Sequence, residues 1–107
     1  MAHLGGAINR LPVEATAYPH RDAEFVLNVH ARWEDPEEDE RCIAWARRFF
    51  ADTAAYATGG VYVNFMTQDE QARIRDAYGR NYARLAKLKR KYDPGNVFRV
   101  NQNIAPA

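Results

Sequence analysis

The chain has a single cysteine, Cys42, in 107 residues. That excludes an internal disulfide framework and a cysteine-rich metal site. No apolar run approaches the length of a transmembrane helix. The N-terminus, MAHLGGAINR, holds no long apolar stretch, which argues against a secretory leader. Charge of one sign is also missing: the formal net charge is +1. A balance so close to zero argues against an electrostatic nucleic-acid or membrane binder. There is no internal repeat and no low-complexity segment. The expectation is one small cytoplasmic domain.

What is present argues for a folded chain. Apolar residues make up 47% and aromatics 12%, too many for disorder. The order reads as strand, helix, strand, helix and tail. The first twelve residues, with Gly5, Gly6 and Pro12, suit a loop or a short edge segment. EATAYPH is a candidate short strand, ended by Pro19. AEFVLNVHARW is the clearest strand, because Phe25, Leu27, Val29, Ala31 and Trp33 alternate with Val26, Asn28, His30 and Arg32.

EDPEEDE then carries a helix start. Asp35 suits the N-cap, Pro36 the first helical position, and Glu38 the reciprocal place of a capping box. Cys42, Ile43, Ala46, Phe49, Phe50 and Ala54 recur at helical spacing, and the helix should end before Gly59 and Gly60. GGVYVNFM is the second expected strand. Val61, Val63 and Phe65 would face one way, and Tyr62, Asn64 and Met66 the other. Thr67 can cap the next helix with Glu70 three residues on. Ile74, Ala77, Tyr78, Asn81, Leu85, Leu88 and Tyr92 trace a helical stripe, interrupted at Gly79. Asp93-Pro94-Gly95-Asn96 is a stop and turn signal.

These elements predict an α+β unit: a small antiparallel sheet of two to three strands, helices packed on one face, and an irregular C-terminal tail. The helices would cover Phe25, Leu27, Val29, Val61, Val63 and Phe65. The other face would present Asn28, His30, Arg32, Tyr62 and Asn64, either to solvent or to a cavity. His20 and His30 read as structural or exposed, since no clustered spacing supports a metal site. Cys42 reads as a small apolar residue. The basic run KLKRK at 87–91 suits the negative end of a helix dipole. The tail places Asn101, Gln102 and Asn103 between apolar residues, as if to lie on a surface and offer it hydrogen bonds.

GGVYVNF and AYGRNYARLAKLKRKYDPGNVFRVNQNI resemble the C-terminal region of FAD-linked oxidoreductases of the berberine bridge enzyme type. Upstream, GGAINRLPVEATAYPHR and FVLNVHARW are similar to the end of the substrate domain in bacterial members, so the likeness covers nearly the whole chain, with residues 1–107 expected to be one berberine-like C-terminal domain. The resemblance implies a partial substrate domain, berberine-like, with the FAD-binding domain absent. The implied chemistry is oxidation of a substrate alcohol or amine carbon by hydride transfer to FAD. By the match to VYVNF, Tyr62 would be the general base. A phenol needs a nearby cation or donor to serve at neutral pH. Asn64 would orient substrate or flavin, and Asn101 and Asn103 would lie near the cofactor. Cys42 does not match the cysteine that carries covalent flavin in such enzymes.

The implied partners are an FAD-binding domain on a separate or missing chain, and a small-molecule substrate. Alone, the chain is expected to hold little or no FAD and to be inactive. The alternative is a stand-alone, non-catalytic binding or homodimerising module derived from such an enzyme. No metal, nucleic acid or membrane partner is expected.

Overall fold

A computed structural model describes the backbone of residues 1–107 and the side chains of all but residues 68 and 69. Two short strands and four α-helices make up the regular structure. They are β1 (Ala2–His3), α1 (Ala7–Arg10), β2 (Phe25–Val26), α2 (Asp39–Thr53), α3 (Ile74–Tyr78) and α4 (Tyr82–Tyr92). Tight 3-10 turns join several of them. The class is α+β, as expected, with one two-stranded antiparallel sheet: β1 pairs β2 with Ala2 opposite Val26 and His3 opposite Phe25.

The local signals for helix boundaries hold except for the expected Asp35–Glu38 capping box, since the Glu38 carboxylate pairs with Arg41 instead. Asp35 caps a 3-10 turn at Pro36–Glu38 that leads into α2, and its carboxylate accepts the Glu37 amide at 2.9 Å. Thr67 and Glu70 form a capping box ahead of α3. Gly79, at φ 47°, ends α3 and begins the turn into α4, a conformation that costs a residue with a Cβ. Asp93 ends α4 and organises the turn that follows. Its carboxylate accepts Val97 N–H at 2.8 Å, Phe98 N–H at 3.1 Å and the Lys89 ammonium.

Three expectations need correcting. EATAYPH is not a strand: Val13–Ala15 forms a 3-10 turn, and β2 takes its partner from the N-terminus instead. The strand of AEFVLNVHARW shrinks to two paired residues, because a strand persists only as far as its ladder partner, and β1 is two residues long. GGVYVNFM is not a strand either. Val63–Phe65 closes a 3-10 turn, with the Phe65 amide bonded to Tyr62 O at 2.9 Å and the Met66 amide to Val63 O at 3.3 Å. In such a turn residues three apart share a side. Met66, expected beside Tyr62, is therefore buried at 7% exposure, while Phe65, expected under the helices, is 43% exposed.

The core lies between the N-terminal segment and the α3–α4 corner. Met66, Ile74, Ala77 and Ala86 are its buried apolar residues. Asn81 is buried there too, and its amide donates to Val13 O at 2.8 Å and Thr16 O at 3.1 Å. Arg84 donates to Glu14 O at 2.9 Å. The 13–21 segment is thereby tied to the start of α4.

This core is small for the chain. The accessible surface is 8408 Å², whereas a compact 12.3 kDa monomer has about 6,100 Å². The radius of gyration is 16.3 Å, against about 13 Å for a compact domain of this length. The excess, about 2,300 Å², exceeds one partner's share of a standard protein interface. Much of it is apolar. No residue of α2 is buried, and its expected inner stripe leaves Phe49 and Phe50 exposed beside Trp45. Phe25 and Leu27, expected under the helices, are exposed as well.

Candidate functional site

The segment from Gly60 to Met66 is held by a histidine. The Nε2 atom of His20 lies 3.1 Å from Val61 O and 3.2 Å from Ala77 O. Both partners are carbonyls and can only accept, so this nitrogen carries the hydrogen and shares it between them. Ala77 lies in the last turn of α3, where carbonyls lack helical partners. Val61 O has no ladder, since no strand forms here. One imidazole satisfies both. The backbone passes the ring so closely that a Cβ at Gly60 would sit 2.5 Å from His20 Cε1.

Tyr62 follows directly and is half-buried. Its ring is braced edge-on by Phe65 at 4.9 Å and by Tyr18 at 6.1 Å between centroids. Tyr18 in turn meets His20 edge-on at 5.5 Å. The Asn64 amide donates to Tyr62 Oη at 2.9 Å. Tyr62 and Asn64, expected side by side on one strand face, are thus neighbours, although a 3-10 turn brings them together.

The tail closes on this segment. Gln102 Nε2 donates to Met66 O at 2.7 Å, and Gln71 Nε2 donates to Asn103 O at 3.0 Å. Asn101 adopts φ 61°, which asparagine tolerates better than most residues. A recess of about 420 Å³ results, lined by Val63, Asn64, Tyr78, Val100, Asn101 and Gln102. It brings Asn64 and Asn101 to one place. Asn103 does not line it. Its Oδ1 is buried near the tail's attachment with no hydrogen-bond partner. Burial pushes the Tyr78 phenol up from its ordinary value, so it stays a hydroxyl donor at neutral pH. Burial likewise raises Tyr18, partly offset by the Arg21 guanidinium, which lies 4.8 Å from its ring centroid.

The donor set can be compared with the cofactor that the sequence resemblance implies. Asn64, Asn101, Gln102 and the Tyr78 hydroxyl offer neutral donors and acceptors. They suit the polar rim of a heteroaromatic ring. The recess carries no cation to match a pyrophosphate. By their chemistry the residues would suit one edge of a flavin ring and not the whole dinucleotide.

The remaining expected residues lie elsewhere. His30 bonds Asn28 through their side chains at 2.9 Å and is exposed. Cys42 is half-buried on α2. Within the basic run, Lys89 holds Asp93, and Arg90 donates to Ala107 O at 2.6 Å. Among the described residues no group of three or more His, Cys, Asp or Glu could hold a metal, and no helix is long and apolar enough to cross a membrane. Sequence reasoning missed His20 as part of the site. The available signal was Gly60, which looked only like a loop residue.

Comparison with known proteins bears on this segment directly. Residues 61–105 match the family model described as berberine and berberine like. The chain is 44% identical over 102 residues to an FAD-linked oxidoreductase of Pyricularia oryzae, an alignment covering 88% of this chain and 20% of that protein. It is 32% identical over 135 residues to a berberine bridge enzyme-like protein of Nicotiana tabacum, with 95% and 24% covered. An aclacinomycin-N/aclacinomycin-A oxidase of Streptomyces galilaeus is 31% identical over 121 residues, with 95% and 22% covered. The chain thus spans a fifth to a quarter of the length of the relatives it matches. Within that span it is homologous to FAD-linked oxidoreductases, with the berberine-like match confined to residues 61–105.

Proposed function

We propose, from the premise that residues 61–105 carry the berberine-like region of FAD-linked oxidoreductases, that this chain is the C-terminal module of such an enzyme. It works with an FAD-binding domain outside these 107 residues and is inactive without it. The substrate is a small molecule oxidised at an alcohol or amine carbon. Bound FAD would supply the hydride acceptor for that carbon.

The chain's own part is a proton and a surface. Tyr62 Oη takes the proton of the substrate hydroxyl as the carbon is oxidised. The Asn64 N–H directed at that oxygen fixes its position. Phe65 and Tyr18 hold the ring from two sides and restrict its swing. Asn64 and Asn101 would meet the polar edge of the cofactor, Asn103 would join them only where docking of the FAD-binding domain uncovers its buried Oδ1, and the Gln102–Met66 bond holds the tail in place for that contact. The surface left open on α2 and β2 is where the rest of the enzyme packs.

The Asn64–Tyr62 hydrogen bond at 2.9 Å is the observation that carries this reading. The test joins residues 1–107 to the remainder of the 44% identical relative and replaces Tyr62 with Phe. A general base contributes about 10²–10⁴-fold in rate, so kcat should fall by that order while flavin stays bound. An unchanged kcat at full flavin occupancy would remove Tyr62 from the mechanism.

A further inference from the structure

We propose that His20 is a positioning residue for Tyr62, clamping the 60–65 segment against the end of α3 so that the phenol is held where it reacts. The inference rests on the reading of Tyr62 as the base, but the clamp itself stands on separate geometry.

Two contacts run from His20 to Tyr62. Through the backbone, Nε2–H bridges Val61 O and Ala77 O, which fixes the residue before Tyr62 to the last turn of α3. Through side chains, the His20 ring meets Tyr18, and Tyr18 meets the Tyr62 ring. Gly60 completes the fit by letting the backbone lie against the imidazole. His20 is 41 residues from Val61 and 57 from Ala77 in sequence. A contact that spans such distances and ends beside the proposed base is a positioning device for it. Val61 O has no ladder partner and Ala77 lies in the last turn of α3, so losing the imidazole takes a hydrogen bond from each carbonyl. The segment would then be free to shift, and a misplacement of about 1 Å can cost about 10²-fold in rate.

The first test uses the whole 107-residue chain and needs no cofactor. His20→Phe keeps a ring and removes the donor; His20→Gln keeps a donor. Ring resonances of Tyr62 are followed by NMR in tyrosine-labelled chain, with amide exchange at Phe65 and Met66. His20→Phe should shift the Tyr62 resonances and raise exchange at Phe65 and Met66 about tenfold. Exchange at Val97 and Phe98, in the distant Asp93 turn, should not change. His20→Gln should return both readouts towards the parent. Unmoved Tyr62 resonances, or equal acceleration at Val97 and Phe98, would overturn the clamp.

The second test uses the fusion to the relative's FAD-binding part. His20→Phe should lower kcat about 10- to 100-fold with KM and flavin occupancy unchanged, and should add nothing in the Tyr62→Phe background. Full additivity of the two substitutions would overturn action through Tyr62. If Tyr62→Phe has no effect on rate while His20→Phe still moves the Tyr62 resonances, the base assignment fails and the clamp survives.

Discussion

Replacing Gly60 with Ala is the sharpest perturbation of the site, because its cost can be worked from a single contact. The new Cβ would lie 2.5 Å from His20 Cε1 and 2.6 Å from Nδ1, well inside van der Waals contact. Gly60 does not occupy the left-handed region that Gly59 and Gly79 do, so backbone strain adds nothing. His20 must move. Overpacking of this kind costs about 1–3 kcal/mol, and a displaced imidazole also gives up hydrogen bonds worth about 1 kcal/mol each. Together a loss of about 3–5 kcal/mol is expected, or about 13–22 °C in Tm for a chain of this length. The assay is thermal unfolding followed by circular dichroism. The same substitution is made in a His20→Ala background, where the clash is gone. There Gly60→Ala should cost almost nothing further, giving a coupling energy as large as the single effect. Equal cost in both backgrounds, or no cost in the parent, would refute the close packing of His20 on residue 60.

Other predictions concern the tail and its turn. Asp93 is held below the ordinary carboxylate value, first by its hydrogen bond from Lys89 and also by the Val97 and Phe98 amides. A depressed folded-state pKa means that its contribution is complete above the unfolded value of about 3.9 and is lost as pH falls through the lower folded value. Val97 and Phe98 amide shifts, titrated by NMR, should therefore report a midpoint below that of a free aspartate; a midpoint at or above it would contradict the bonding. Gln102→Ala removes the bond to Met66 O, so proteolysis within residues 99–105 should accelerate with α4 intact, and unchanged cleavage would show that the tail is held by other means.

How legible this fold was in the sequence depends on the range of each interaction. Asp35 with Pro36, Thr67 with Glu70, Gly79 and Asp93 are punctuation whose partners lie within a few residues. Each holds in the structure. The strands fared differently. Alternation at 23–33 and 59–66 states what a strand could present, but pairing decides whether one forms. β2 finds two partner residues at the N-terminus, and 61–66 finds none in this chain, so its backbone closes a 3-10 turn instead. The site was legible in part. Tyr62 and Asn64 meet because residues two apart stay close in either conformation. The His20 bridge to Val61 and Ala77 leaves no local pattern, and only the small size of Gly60 hinted at it. The exposed face of α2 has the same origin: its amphipathic spacing is clear, while no residue of it is buried by the rest of these 107 residues.

The central claim is that this surface belongs against an FAD-binding domain. Mixing the chain with the separately produced FAD-binding part of the 44% identical relative tests it most directly, with size-exclusion chromatography monitored at flavin absorbance. A one-to-one complex that carries the flavin, and in which α2 amides gain exchange protection, is the predicted result. A colourless homodimer of the chain that ignores the added domain would contradict it.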